Sequence, residues 1–250
     1  MRDLATVRRL EAAGFCAFPA GSVRYDGTWA LRTTKGVPAK RVNSINPLDP
    51  NDTIDFDTRI ARASELFREQ GQEMIFRISP LAPDVLVDHL QRSGWCSFDE
   101  SIVMAGALSA DLGNGRAGEP VGDAVAWAEA MMKIEQRDAS GVPALVQSIA
   151  AARGATGLFL TKDPDGHPTS TVRCVADLGL AGIFELATDS NCRRRGYGRA
   201  ILSGALSWAR ARGASTAWLQ VTAVNAPAIS LYQQMGMHEV YRYSYWRKAK

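Results

Sequence analysis

The stretch GIFELATDSNCRRRGYGRAILSGALSWARARG, residues 182–213, decides how this 250-residue chain reads. Its opening GIFELAT has the apolar character of a strand, interrupted by the single charge of Glu185. A short polar loop follows, and Arg193-Arg194-Arg195-Gly196-Tyr197-Gly198 leads straight into a helix. That helix places Ile201, Leu202, Ala205, Leu206 and Ala209 on one face. Glycines at its start remove side chains from the first turn, where backbone N–H groups have no intrahelical partner and can close on an anion. The helix dipole and the three arginines favour the same sign of charge, so a diphosphate is the group such a loop would hold. Taken alone, the pattern equally suits a glycine-tolerant helix start with a solvated basic cluster.

Downstream, TAWLQVTA predicts a strand and APAISLYQQM a short helix closed by Gly236. VYRYSYW predicts a last strand whose Tyr241, Tyr243 and Tyr245 share one sheet face, a pattern of core packing, with acceptor binding as the alternative. Upstream, AVAWAEAMMKIEQR and PALVQSIAAAR predict helices, and GLFLTK and TSTVRCVADLG a hairpin around Asp163-Pro164-Asp165-Gly166.

Arg193, Gly196 and Gly198 match the fixed positions of the Gln/Arg-x-x-Gly-x-Gly/Ala motif of the GNAT superfamily of acyl-CoA-dependent N-acyltransferases. The chain resembles that superfamily further along as well. Asn225, Ala228, Leu231-Tyr232 and Gly236-Met237 follow in the expected order, with Met237 where Phe is usual. The resemblance spans about residues 120–247. No G-x-x-x-x-G-K-[ST] string occurs, and no G-x-G-x-x-G followed by a ribose-binding acid.

The resemblance implies acetyl-CoA as co-substrate. Its pantetheine arm would pair with the backbone of Leu186, Ala187 and Thr188, and its diphosphate would be wrapped by Arg193, Arg194, Arg195, Gly196, Tyr197, Gly198 and Arg199. Asn225, Ala228 and Tyr232 complete the implied binding set. A backbone N–H aimed at the thioester carbonyl is worth about 3–4 kcal/mol in the transition state. Tyr232 matches the tyrosine that lies near the thioester sulfur and is the candidate acid; packing in a helix–strand core is the alternative. Glu185 is the candidate base or a contact for a cationic acceptor, or else an edge or bulge residue in solvent. Gln220 lies where some members place a catalytic glutamate, and an amide cannot act as base at neutral pH. The expected activity is direct transfer of an acetyl group to a primary amine of a small molecule or peptide. A CoA-binding sensor without turnover is the competing reading.

In the first half, residues 3–13 predict a helix ended by Gly14. TWALRTT (28–34) and KRVNSINP (40–47) predict a hairpin, residues 57–70 a helix, EMIFRIS a strand, PDVLVDHLQRSGW a helix and SIVMAGAL a strand. FRISPLAPDVLVDHLQRSGW parallels LQVTAVNAPAISLYQQMGM in the order of strand, Ala-Pro, helix, Gly and strand. The expected architecture is therefore α/β, with α+β mixed sheets in tandem GNAT-like domains at 1–112 and 118–250, joined through the small-residue stretch SADLGNGRAGEP. The first copy is expected to be degenerate, because PNDTIDFDTR before its second helix has three aspartates and no glycine and would repel a diphosphate. It would instead shape the acceptor site, with Arg41 and Asn43 on one strand face pointing to it or else lying on a solvated hairpin.

Composition limits the alternatives. Apolar residues make up 46% and charged residues 22%, the balance of a globular protein. The net charge of +3 is too small to suggest nucleic acid or an anionic membrane as partner. Cys16, Cys96, Cys174 and Cys192 are scattered, and no run of 18 apolar residues occurs, so a reduced cytoplasmic protein is expected, with homodimerisation left open. His89, His167 and His238 show no metal-ligand spacing, and no metal is expected.

Overall fold

The computed structural model describes residues 3–108 and 120–249. The expected linker at 109–119 lies outside the described residues. In chain order the elements are α1 (Leu4–Ala17), β1 (Ser22–Asp26), β2 (Trp29–Thr33), β3 (Ser44–Pro47), α2 (Phe56–Glu69), β4 (Phe76–Ile78), α3 (Asp84–Arg92) and β5 (Trp95–Ala107). They continue as α4 (Ala124–Ile134), α5 (Val142–Ala151), β6 (Ala155–Lys162), β7 (Pro168–Asp177), β8 (Leu180–Thr188), α6 (Tyr197–Arg210), β9 (Thr216–Thr222), α7 (Ala226–Gln234) and β10 (His238–Lys248). The chain divides into two compact units. One contains Met1–Val103, Val221–Asn225 and Glu239–Lys250, the other Met104–Gln220 and Ala226–His238. Membership thus follows contact rather than sequence order, and the last strand belongs with the first unit.

Within the first unit the strands run in the order β1-β2-β3-β4-β10-β5. The pairs β1–β2, β2–β3 and β4–β10 are antiparallel and β3–β4 is parallel. Trp29, Phe76 and Trp95 form the centre of its core, with Phe76 edge-on to Trp29 at 5.3 Å and to Trp95 at 5.2 Å. Tyr241, Tyr243 and Tyr245 are all buried, as the period of 2 in β10 implies. They surround a buried ion pair. Arg77 donates to both carboxylate oxygens of Glu11, Tyr241 donates to Glu11 Oε1 at 2.5 Å, and the Arg77 guanidinium stacks over Tyr243.

Several local expectations are corrected here. Helix α1 runs through Gly14 to Ala17, because Ala17 joins Val7 and Leu10 in the core, and that burial outweighs the ~1 kcal/mol penalty of a helical glycine. Strand β1 has a mostly exposed, polar pattern without alternation and gave no apolar signal. Lys40–Val42 form a 3-10 turn rather than strand, and only Ser44–Pro47 pair with β2. Asn43 fixes that turn: its Oδ1 accepts from the Thr34 N–H at 2.6 Å and its Nδ2 donates to the carbonyls of Val37 and Ala39. Arg41 lies over the Phe18 ring. The two residues therefore do not share a strand face.

In the second unit the order is β9-β8-β7-β6, antiparallel except for the parallel β8–β9 pair. Asp123 caps α4 by accepting from the N–H groups of Val125 and Ala126. Trp127, Met131 and Ile149 from α4 and α5 pack with Leu158, and Trp127 Nε1 donates to the Phe159 carbonyl at 2.8 Å. Helix α6 buries the five residues its sequence pattern assigned to one face. Among the described residues no helix is long and apolar enough to cross a membrane.

Candidate functional site

Strand β8 is where the second unit departs from regular geometry. Arg173 pairs with Phe184 and Thr171 with Ala187, so two steps along β7 face three along β8. The extra residue coincides with Glu185, which adopts a left-handed φ of 47°. Such a bulge bends its strand and increases the twist. On the other edge, the ladder with β9 runs from Leu180–Thr216 to Ile183–Leu219 and ends there. Leu186, Ala187 and Thr188 extend past that last pair, held on the β7 side through Thr171–Ala187 and Ser170–Thr188.

The loop after β8 is built from local hydrogen bonds. The Asp189 N–H donates to the Thr169 carbonyl, the Asp189 carboxylate accepts from the Asn191 N–H, and Arg193 Nε donates to the Thr188 carbonyl at 3.4 Å. Arg194 at φ 60° and Gly196 at φ 83° are both left-handed and turn the chain into α6. The first bond of α6 is Ala200 N–H to Gly196 O at 2.9 Å, and no side chain caps the helix. The N–H groups of Tyr197, Gly198 and Arg199 therefore have no intrahelical acceptor. A Cβ on Gly196 would meet no atom within 4 Å, whereas one on Gly198 would lie 3.1 Å from Thr188 Oγ1. Arg193, Arg194, Arg195 and Arg199 are exposed, and none has a carboxylate partner among the described residues. This arrangement suits a polyanion, with backbone donors, a helix N-terminus and unneutralised cations converging on bare backbone.

Tyr232 is buried on α7, one turn after half-buried Ala228 on the same face. Burial pushes its hydroxyl up to about 12. Left-handed Gly236 ends the helix, with Gly236 N–H donating to Gln233 O and Met237 N–H to Tyr232 O at 3.0 Å, a Schellman closure. Asn225 is exposed and clusters with the first unit, in a turn where its N–H donates to Thr222 O. Gln220 is half-buried on β9.

Glu185 is half-buried, with Oε2 sealed from solvent and lacking a hydrogen-bond partner; Arg173 Nη1 lies 4.0 Å from it. Glu135, which caps the C-terminus of α4, is raised above the usual carboxylate range by burial, opposed by Arg137 and reinforced by Glu185. Sequence reading did not single out Arg173 or Glu135. Arg173 carried a signal like that of Glu185, a charge in the middle of a strand whose other charge, Asp177, stands at its end, whereas nothing in the sequence around Glu135 sets it apart.

Asp163, Asp165 and His167 bring ligand atoms within 4.8 Å of one another at an exposed turn. Asp163 Oδ1 there accepts from the Asp165 and His167 N–H groups, so its role in the turn accounts for the arrangement.

A family model described as "Probable histone acetyltransferase Rv0428c C-terminal" matches residues 4–246. The chain belongs to this family. It is a GNAT-type, acyl-CoA-dependent N-acetyltransferase. It is similar to the [Ribosomal protein bS18]-alanine N-acetyltransferase of Escherichia coli (strain K12), with 34% identity over 106 residues, 42% of this chain and 71% of that protein. It is also similar to the uncharacterized N-acetyltransferase YobR of Bacillus subtilis (strain 168), with 26% identity over 255 residues and 98% of each chain covered. Among solved structures, a GCN5-related N-acetyltransferase from Kribbella flavida shares the fold at a TM-score of 0.71 and 17% identity, over 100% of this chain and 97% of that one. In this GNAT chain the arginine-rich loop, the start of α6 and the paired part of β8 and β9 lie in the second unit.

Proposed function

We propose that this enzyme transfers an acetyl group from acetyl-CoA to a primary amine, and that the second unit carries the reaction. The observation that carries the reading is the end of the β8–β9 ladder at Ile183–Leu219, beside an uncapped α6 N-terminus entered through left-handed Gly196. Tyr197, Gly198 and Arg199 would give their backbone N–H groups to the diphosphate, and Arg193 to Arg195 their charge. Leu186 to Thr188 would offer strand edge to the pantetheine arm, and one of their N–H groups would polarise the thioester carbonyl.

Acetyl-CoA supplies the activated acyl group. Glu185, whose Oε2 is sealed from solvent beside Arg173, takes the proton of the attacking amine on its other carboxylate oxygen as the C–N bond forms. Tyr232 gives its proton to the sulfur as the C–S bond breaks; a hydroxyl held near 12 stays protonated throughout the neutral range and can serve as donor.

The activities named for the relatives guide the choice of acceptor. One acts on an alanine of a ribosomal protein, and the family description refers to histones. Calorimetry with acetyl-CoA, followed by a thiol-release assay with a peptide bearing a free N-terminal alanine and with a lysine-rich histone peptide, tests the reading. Saturable binding together with amine-dependent thiol release supports it. Binding with neither amine-dependent release nor background hydrolysis favours a CoA sensor.

A further inference from the structure

Arg173 is completely buried on β7. Guanidinium groups tolerate such burial only where charge and hydrogen bonds compensate. Its Nη1 reaches Ser148 Oγ at 3.5 Å and its Nη2 the Ser148 carbonyl at 3.4 Å, which ties it to helix α5. From there Nη1 stops 4.0 Å from Glu185 Oε2, beyond hydrogen-bond length but well within reach of charge. At 4.0 Å Arg173 gives the solvent-sealed Oε2 its counter-charge without a hydrogen bond, which leaves the other carboxylate oxygen as the one an incoming N–H would meet. The backbone beneath is fixed too, since Thr171 Oγ1 donates to the Glu185 carbonyl and the bulge holds the residue left-handed. Among the described residues Glu135, at the end of α4, also interacts by charge with this carboxylate, and Arg137 Nε lies 2.9 Å from Glu135 Oε2.

We propose that Arg173 is a positioning residue for acetyl transfer: anchored by Ser148, it orients and charge-balances Glu185 toward the amine acceptor, against the opposing charge of Glu135. The proposal rests on the reading of Glu185 as proton acceptor. Arg173 itself does not touch the reacting atoms.

The test uses the full chain, acetyl-CoA and a peptide with an N-terminal alanine, with thiol release followed against pH. Arg173→Met should lower kcat about tenfold at neutral pH, a fraction of what a general base contributes. It should also move the acid limb of the profile upward, the direction expected when a cation beside a carboxylate is removed. The KM for acetyl-CoA should stay unchanged. Arg173→Lys keeps the charge and should restore the limb. In Arg173→Met/Glu185→Gln the rate should match Glu185→Gln alone. Glu135→Gln should move the limb downward, and it decides the matter if Arg173→Met melts. A loss that is equal at every pH, a loss that adds in full to that of Glu185→Gln, or a limb unmoved by Glu135→Gln overturns the proposal. If Glu185→Gln slows the reaction and Arg173→Met does not, the positioning role alone is lost. If Glu185→Gln leaves the rate untouched, the assignment of the base is lost with it.

Discussion

A Cβ placed on Gly106 of β5 would lie 2.6 Å from the carbonyl oxygen of Gly236. That contact ties strand to helix end, because Gly236 closes the helix that carries Tyr232 and the next N–H, from Met237, bonds back to the Tyr232 carbonyl. Gly106→Ala should therefore act as overpacking, costing about 1–3 kcal/mol. For a protein of this size the melting temperature should fall about 2–4 °C per kcal/mol. If α7 shifts to relieve the clash, kcat falls as well, while affinity for acetyl-CoA holds. An unaltered melting curve would show that the contact is not tight.

Gly196 and Gly213 allow a controlled comparison. Both are left-handed, at φ 83° and 86°, and both have open space where a Cβ would go. A substitution at either should cost about 1–2 kcal/mol of backbone strain. Only Gly196 precedes the uncapped helix start. Gly196→Val should weaken acetyl-CoA binding at least about tenfold, equivalent to one lost charge-assisted hydrogen bond, and Gly213→Val should leave it unchanged. Equal calorimetric affinities for the two variants would overturn the assignment of the loop.

Tyr232→Phe should reduce kcat more than it changes KM. Because burial raises the hydroxyl from 10.0 to about 12, the wild type should show no loss of rate from this group between pH 7 and 10. The same shift bears on stability. The unfolded chain ionises this tyrosine first, so its contribution is complete below pH 10 and declines as pH rises toward 12. Tyr232→Phe should flatten that decline in alkaline melts.

Asp52 in the first unit predicts the opposite limb. Burial works to raise its carboxyl, but hydrogen bonds from Arg59 and Thr28 outweigh it and hold the group at about 2. A lowered carboxylate stabilises the fold above its unfolded value of 3.8, and that contribution is lost as pH falls through about 2. Asp52→Asn should lower the melting temperature at pH 7, and the difference from wild type should shrink between pH 4 and 2.

Much of the second unit was legible because its signals are local. The glycines before α6, the buried stripe of that helix and the closing Gly236 each follow from backbone geometry at one place in the chain. Glu185 stood out as a charge in an apolar strand, but its bulge depends on the register against β7, which a single strand does not encode. Arg173 was missed for a related reason: its role arises from Ser148, 25 residues away in sequence and adjacent only once α5 packs. In the first unit, Lys40–Val42 and Asn43 read as strand because the side-chain hydrogen bonds that bend them compete with the ladder. Strand β1 was silent because it is mostly exposed.

The two helix starts, α2 and α6, differ in how their first N–H groups are satisfied. At α2 the Asp55 carboxylate accepts from the Thr58 N–H and Arg59 is engaged by Asp52, so that end is complete within the chain. At α6 no such side chain exists, and an N-cap is worth about 1 kcal/mol. The α6 end should thus be the first part of its helix to exchange its amide hydrogens in the resting protein. A bound diphosphate would supply the missing cap, so amide protection at residues 197–199 should report co-substrate occupancy directly, whether or not an amine is present.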